Sequence, residues 1–180
     1  MKNYFDVAGK YAVVTGASSG LGRQFALCLA EQGCNVAIAA RRVERLEEVK
    51  KEVEAYGVKC LVLPCDVTDT EQIRNSVDKV VKEFGRIDIL INNAAASFAT
   101  PVVETTDDQW YNVMKTNVDG VFFFAREVGG YDRPELRKDH QHRLLPLPGN
   151  HERCSTFRLF YCKGRSFNDV QGTGCRVGKE

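Results

Sequence analysis

Hydrophobic positions along the first 130 residues alternate between two textures. Residues 11–15, 35–40, 59–65 and 87–92 are short runs rich in Val, Ile, Leu or Ala on both parities, as expected of strands buried on both faces. The segments between them carry helical spacing. Residues 21–32 form one such segment, residues 43–56 place Leu46, Val49 and Val53 on one face, and Ile73, Val77, Val80, Val81 and Phe84 mark a third. These three predicted helices stop at Gly33, Gly57 and Gly85, where a left-handed residue can close the last turn. Thr68 with Glu71, and Thr106 with Gln109, each spell a capping box, so the third and fourth helices are expected to begin there.

Strand, helix and strand repeating with short turns imply right-handed crossovers, and hence a parallel sheet with helices on both faces. The expected fold is α/β: the first half of a Rossmann-type doubly wound sheet, with four strands, over residues 1–128. Ligands of such sheets lie beyond the carboxyl ends of the strands. Gly16, Arg41, Asp66 and Asn93 follow successive strands, so all four should approach one crevice.

The first of these turns, Thr15-Gly16-Ala17-Ser18-Ser19-Gly20-Leu21-Gly22, carries the most specific chemistry. Gly16 permits a tight turn. Gly20 lets backbone N–H groups approach phosphate oxygens, and Gly22 lets the helix pack close to its strand. The pattern is that of a pyrophosphate seat. A site built for an unphosphorylated ribose normally has an acid about 20 residues further on, bonded to the 2′-OH. Ala40 stands there, followed by Arg41 and Arg42. A guanidinium at this place can pair with a 2′-phosphate and no carboxylate repels it, so NADP(H) is favoured over NAD(H), with Arg41 the better candidate. The plainer alternative is two arginines opening a solvated helix. Asp66 can accept from an adenine amino group; its alternative role is a helix cap, which the Thr68 capping box would leave unneeded.

Composition narrows the partners. The 180 residues are 43% hydrophobic and 27% charged with a net charge of +1, which is globular and makes no electrostatic case for nucleic acid or an anionic membrane surface. No apolar run reaches the roughly 20 residues of a membrane span, and residues 1–6 lack a secretory apolar core, so the chain reads as cytoplasmic. Seven cysteines, an odd number with no Cys-x-x-Cys pair, point to reduced thiols.

Together these residues resemble the short-chain dehydrogenase/reductase family, with a texture similar to its gluconate dehydrogenase-like and oxoacyl reductase-like members. The resemblance covers residues 1 to about 128. It rests on Thr15-Gly16-x-x-x-Gly20-x-Gly22, Asp66-Val67, Asn92-Asn93-Ala94-Ala95, and Asn117 within Lys115-Thr116-Asn117-Val118. It implies hydride transfer between nicotinamide and an alcohol or ketone carbon of a small-molecule substrate. It also implies cofactor contacts from Gly16, Ser18, Ser19, Gly20, Leu21, Gly22, Arg41, Asp66, Val67, Asn93, Ala94 and Ala95. Ala95 departs from the family's Asn-Asn-Ala-Gly, and its methyl group would crowd the nicotinamide ribose. Of the family's catalytic Ser, Tyr, Lys and Asn, only the Asn finds a position, Asn117; a helix-interior Asn bonded to backbone is its structural alternative. Tyr111 and Lys115 spell Tyr-x-x-x-Lys, but they precede Asn117, whereas the family's pair lies on a later helix. They read as a decoy.

Residues 131–180 break the pattern. They contain no Ala, Ile or Met, and they hold all three His and seven Arg. No window keeps a strand or helix period, and the composition is that of a disordered or poorly packing tail. His140, His142, His151, Cys154, Cys162 and Cys175 lack the paired spacing of a zinc module, so no metal is expected. A reading-frame slip explains the change. Read one base later, residues 131–144 can encode M-I-A-Q-N-Y-G-K-I-I-N-I-A-S, a family-like fifth strand ending in serine. Residues 159–163 can encode Y-S-T-A-K in the same frame. Residues 129–180 are therefore expected to be an aberrant tail. The fourth strand would be left as an open apolar edge and the family's homo-oligomer interface largely missing. Two functions remain in view: an NADP(H)-dependent oxidoreductase by lineage, or a non-catalytic nucleotide-binding fragment.

Overall fold

A computed structural model describes residues 6–131 and the backbone of a short strand at 160–161. The order is β1 (Tyr11–Thr15), α1 (Gly20–Glu31), β2 (Asn35–Ala40), α2 (Val43–Glu54), β3 (Cys60–Pro64), α3 (Thr70–Phe84), β4 (Ile89–Asn92), a 3-10 turn (Val102–Glu104), α4 (Asp107–Met114), a π-helical turn (Lys115–Asp119), α5 (Gly120–Tyr131) and β5 (Phe160–Tyr161). The strands are parallel, in the order β3-β2-β1-β4-β5. The expected four-stranded α/β sheet is present.

Alternation along the strands divides the core into two layers. Val14, Val36 and Ile38 face Ala26 and Ala30 of α1 and Leu46, Val49 and Val53 of α2. Val13, Ala37, Leu63 and Leu90 face Ile73, Val77 and Val80 of α3 and Phe124 of α5. Both parities are thus buried, which is why the strand sequences show no polar alternation. Each fully buried Leu, Ile or Phe withdraws apolar surface worth about 1.5–3 kcal/mol from water. On the outer side of the second layer, buried Glu127 of α5 accepts from Arg126 at 2.9 Å and lies 3.8 Å from Arg74 of α3, so its charge is paired where the two helices meet.

The predicted helix ends are largely observed. Gly33, Gly57 and Gly85 take φ values of +77°, +79° and +80°, and Thr106 with Gln109 forms a reciprocal capping box at α4. The start of α3 differs. Its cap is Asp69, whose carboxylate accepts from the backbone N–H groups of Glu71 at 2.9 Å and Gln72 at 3.2 Å. Thr68 turns instead to Asp66. A carboxylate satisfies two orphan N–H groups and sits at the positive end of the helix dipole, which a hydroxyl one residue earlier cannot match.

The edge of β4 is a second correction. Phe160–Tyr161, within a tail that shows no strand period, pair in parallel with Ile91 and Asn92. An edge strand presents unpaired N–H and C=O groups that a passing extended segment can satisfy without any side-chain pattern. The other expectations for residues 132–180, including disorder and the six His and Cys residues, lie outside the described residues.

Candidate functional site

Beyond the carboxyl ends of β1 to β4 lies an open crevice of about 440 Å³. Gly16, Arg41, Asp66 and Asn93, expected to converge from their positions after successive strands, all line it. Ser18, Ser19, Val67, Ala94 and Ala95 line it as well.

The seam between the β1 and β4 turns is built from close backbone approach. Thr15 Oγ1 accepts from the backbone N–H groups of Asn93 at 3.0 Å and Ala94 at 3.1 Å. The Asn93 amide donates back to the carbonyls of Thr15 at 3.1 Å and Gly16 at 3.2 Å. Gly16 has φ +66°, and a Cβ there would stand 2.8 Å from Ala94 Cα. At Gly22 a Cβ would collide with the Gly16 carbonyl and come within 2.5 Å of Asn93 Nδ2. That glycine therefore lets α1 pack against the turn and Asn93 together. Gly20 has φ +57° with nothing within 4 Å of an added Cβ, so the space above the turn is open.

The first turn of α1 is left without a side-chain cap. Ser19 occupies the N-cap position but accepts no helix N–H. The hydroxyls of Ser18 and Ser19 accept instead from Arg42 Nη2, at 3.1 and 2.9 Å. Orphan N–H groups at an open helix start, next to a guanidinium, suit phosphate oxygens. Arg41 extends further into solvent and lies 4.0 Å from Asp66 Oδ2. Asp66 Oδ1 is engaged by the Thr68 backbone N–H at 2.9 Å and hydroxyl at 2.8 Å. The idea that a Thr68 cap leaves this aspartate unused is thus overturned: Thr68 orients it, and Oδ2 is the oxygen turned to Arg41.

Asn117 lies in the π-helical turn and does not line the crevice. Its amide donates to the Ala96 carbonyl at 2.9 Å and accepts from the Ala96 N–H at 2.8 Å. It clamps the loop after β4 in both directions, which is the bonding to backbone weighed as its alternative role. Tyr111 is 66% exposed, and neither it nor Lys115 lines the crevice. Sequence reasoning missed Asn112 and Thr116, which do line it. Their i, i+4 spacing was visible, but nothing local shows which helix face meets a crevice.

Titratable groups add little redox chemistry here. Among the described residues Cys28, Cys34, Cys60 and Cys65 are free thiols. Burial pushes Cys34 up to about 11 and Cys60 up to about 12, and it raises Cys65, so these three stay protonated near neutrality. No described helix is long and apolar enough to cross a membrane.

A parallel sheet whose first turn is glycine-rich and opens an uncapped helix defines a nucleotide-binding class of protein. The sequence model of the short chain dehydrogenase family matches residues 10–133, and the chain belongs to that family of NAD(P)-using oxidoreductases. It is similar to a 3-oxoacyl-acyl-carrier-protein reductase of Staphylococcus aureus, with 40% identity over 114 residues covering 63% of this chain and 46% of that protein. It is also similar to gluconate 5-dehydrogenase of Gluconobacter oxydans, 37% identical over 133 residues that cover 74% and 52% of the two chains. Among solved structures, a short-chain type dehydrogenase/reductase from Mycobacterium marinum aligns with TM-score 0.67 and 39% identity, over 69% of this chain and 50% of that one. An NAD+-bound xylitol dehydrogenase aligns with TM-score 0.66 and 38% identity, over 68% and 47%. The chain spans about half the length of these relatives.

Proposed function

We propose that residues 1–128 are the NADP(H)-binding half of a short-chain oxidoreductase that moves hydride between nicotinamide and an alcohol or ketone carbon. The observation carrying this reading is the pairing of Arg42 with Ser18 and Ser19 beside Arg41, at a place where Ala40 leaves no carboxylate. The two guanidiniums there can pair with the charge of a 2′-phosphate, whereas a 2′-OH would find no carboxylate at residue 40 to accept from it.

The bound cofactor would supply the hydride carrier. In this reading Gly16, Ser18, Ser19, Gly20, Leu21 and Gly22 form the pyrophosphate turn. Asp66 and Val67 border the adenine, while Asn93, Ala94 and Ala95 border the nicotinamide ribose. Asn117 acts as a positioning residue: with both ends of its amide on Ala96, it holds the loop that forms this wall.

A non-catalytic nucleotide-binding role is the second reading. No Tyr-x-x-x-Lys follows Asn117 within residues 118–180, and Tyr111 faces solvent. The frame slip proposed for residues 129–180 accounts for that absence, and the coding DNA around Gly129 tests it: an undisturbed frame shared with a related protein's tail refutes the slip.

Titration of the purified chain with NADPH and NADH tests the cofactor. Arg41→Ala and Arg42→Ala are each expected to lower NADPH affinity about tenfold or more while leaving NADH within about threefold. Equal loss of both cofactors, or tighter binding of NADH by the unaltered chain, overturns the phosphate clamp.

A further inference from the structure

We propose that the outer edge of β4 is a strand-acceptor site, which takes an extended segment of a separate polypeptide in parallel register. The inference lies outside the dinucleotide reading and does not depend on it.

Three observations meet at this edge. On its inner side β4 pairs with β1 over Ile89, Leu90 and Ile91. On its outer side only Ile91 and Asn92 have a strand partner among the described residues, and that partner is Phe160–Tyr161. A two-residue pairing is short against the usual five or six residues of a strand. The Asp88 N–H donates to the Tyr11 carbonyl on the β1 side, so by alternation the backbone groups of Ile89 point outward, beyond the reach of that pairing.

The second observation is Asn92, which is buried and whose Nδ2 has no hydrogen-bond partner among the described residues. It shares the parity of Leu90, which faces α3 and α5, so its amide enters that layer at the rim of the sheet. A buried donor without an acceptor is costly, and this one stands where an adjoining strand would bring an acceptor. The third is an apolar flank on α5. Helix α3 contacts β3, α5 contacts β4, and Glu127 of α5 lies 3.8 Å from Arg74 of α3. Helical spacing puts Val121, Phe122 and Ala125 on the opposite flank, over the outer side of β4, with Phe122 exposed.

These features define the partner. Leu90 and Ile91 belong to opposite core layers, so a strand laid beside them needs apolar residues on both parities. It also needs an Asn, Gln or Ser side chain level with Asn92 to accept from the amide. The pairing already present at Ile91 and Asn92 sets the direction as parallel. In such strand addition the backbone bonds supply affinity and the side chains supply selection. A second copy of this chain fits less well. Two β4 edges meeting about a two-fold axis run antiparallel, and in full overlap they set Asn92 against Ile89, which offers the amide no side-chain acceptor.

The peptide Gly-Lys-Ile-Ile-Asn-Ile-Ala-Ser, from the alternative reading frame of residues 131–144, has this chemistry and serves as the probe. Labelled and titrated against the full chain by fluorescence anisotropy, it should bind saturably and slow amide hydrogen exchange at residues 89–92. Replacing its second isoleucine by proline should weaken binding about tenfold or more. Tyr161→Pro in the chain removes the competing pairing and should tighten peptide binding about threefold or more. Asn92→Leu should weaken it about tenfold while leaving the unfolding midpoint of the chain near the parent's. Equal binding of the proline peptide, slowed exchange away from β4, or indifference to Asn92→Leu overturns the assignment. Dimerisation of the chain that the peptide does not reverse overturns it too, and gives the edge to a second copy.

Discussion

The two flanks of β1 are built in different ways. On the β3 side, the turn after the strand is closed by side chains near in sequence: Thr68 on Asp66, Asp69 on the start of α3, and Gln72 reaching back to both Asp66 and Asp69. The outer edge is protected too, because Lys79 Nζ donates to the Val62 carbonyl at 3.1 Å and Pro64 ends the strand. On the β4 side, the seam joins residues 77 to 79 positions apart, the Thr15 hydroxyl and the Asn93 amide each bonding the other turn's backbone beside two glycines that tolerate no Cβ. Its edge is paired at two residues, and the buried Asn92 Nδ2 has no hydrogen-bond partner among the described residues. One flank is closed by local side-chain chemistry. The other depends on distant segments fitting together, and it is the flank on which the chain's likeness to its relatives ends.

The largest effect should come from the seam. Gly16→Ala combines a left-handed backbone with a collision against Ala94, and it should cost about 3 kcal/mol or more of unfolding free energy in urea and abolish NADPH binding. A near-neutral result would show that the seam yields easily and that the two flanks are less different than their contacts indicate. Next comes the helix cap on the β3 side. Hydrogen bonds from the Gln72 backbone and side chain hold the Asp69 carboxyl below its ordinary value of 3.8. Its stabilisation is therefore complete above that unfolded-state value and is lost as pH falls through the lower folded-state value. Asp69→Ala should lower the urea midpoint at pH 6, and the gap to the parent should close as the pH drops below the usual carboxylate range; a gap independent of pH would remove the cap from the account. The smallest effects separate the two edges. Lys79→Met strips a donor from Val62 and should cost about 1 kcal/mol, whereas Asn92→Leu removes a buried amide whose Nδ2 has no partner among the described residues and should fall within about 0.5 kcal/mol of the parent or stabilise it. The reverse order would mean that the β4 edge is the better protected one.

Legibility followed the same division. The strands after which Gly16, Arg41, Asp66 and Asn93 stand, and their meeting at one crevice, could be read from period and chain order, since a parallel sheet leaves little choice. The Thr106 cap was legible because it is a contact across three residues. At α3 two competing caps one residue apart, Thr68 and Asp69, both fit local patterns, and the choice went to the carboxylate. Arg42 lay next to the favoured Arg41 in sequence, yet its hold on Ser18 and Ser19 depends on how β2 delivers its last residues beside the α1 turn.

What the sequence determined by itself was periodic and short-ranged: buried parallel strands, amphipathic helices, glycine stops, the glycine-rich turn after β1, and a family resemblance over residues 1 to about 128 that the family model matches over residues 10–133. Those features repeat at fixed spacing, so each is supported several times along the chain. Only the tertiary structure decided that Asn117 spends its amide on Ala96, that Arg42 holds Ser18 and Ser19 and that Asn112 reaches the crevice. It also seated Phe160–Tyr161 on β4. The physical reason is that a hydrogen bond needs two groups brought within about 3 Å, and for partners twenty or more residues apart that meeting is set by how layers pack, not by any local pattern.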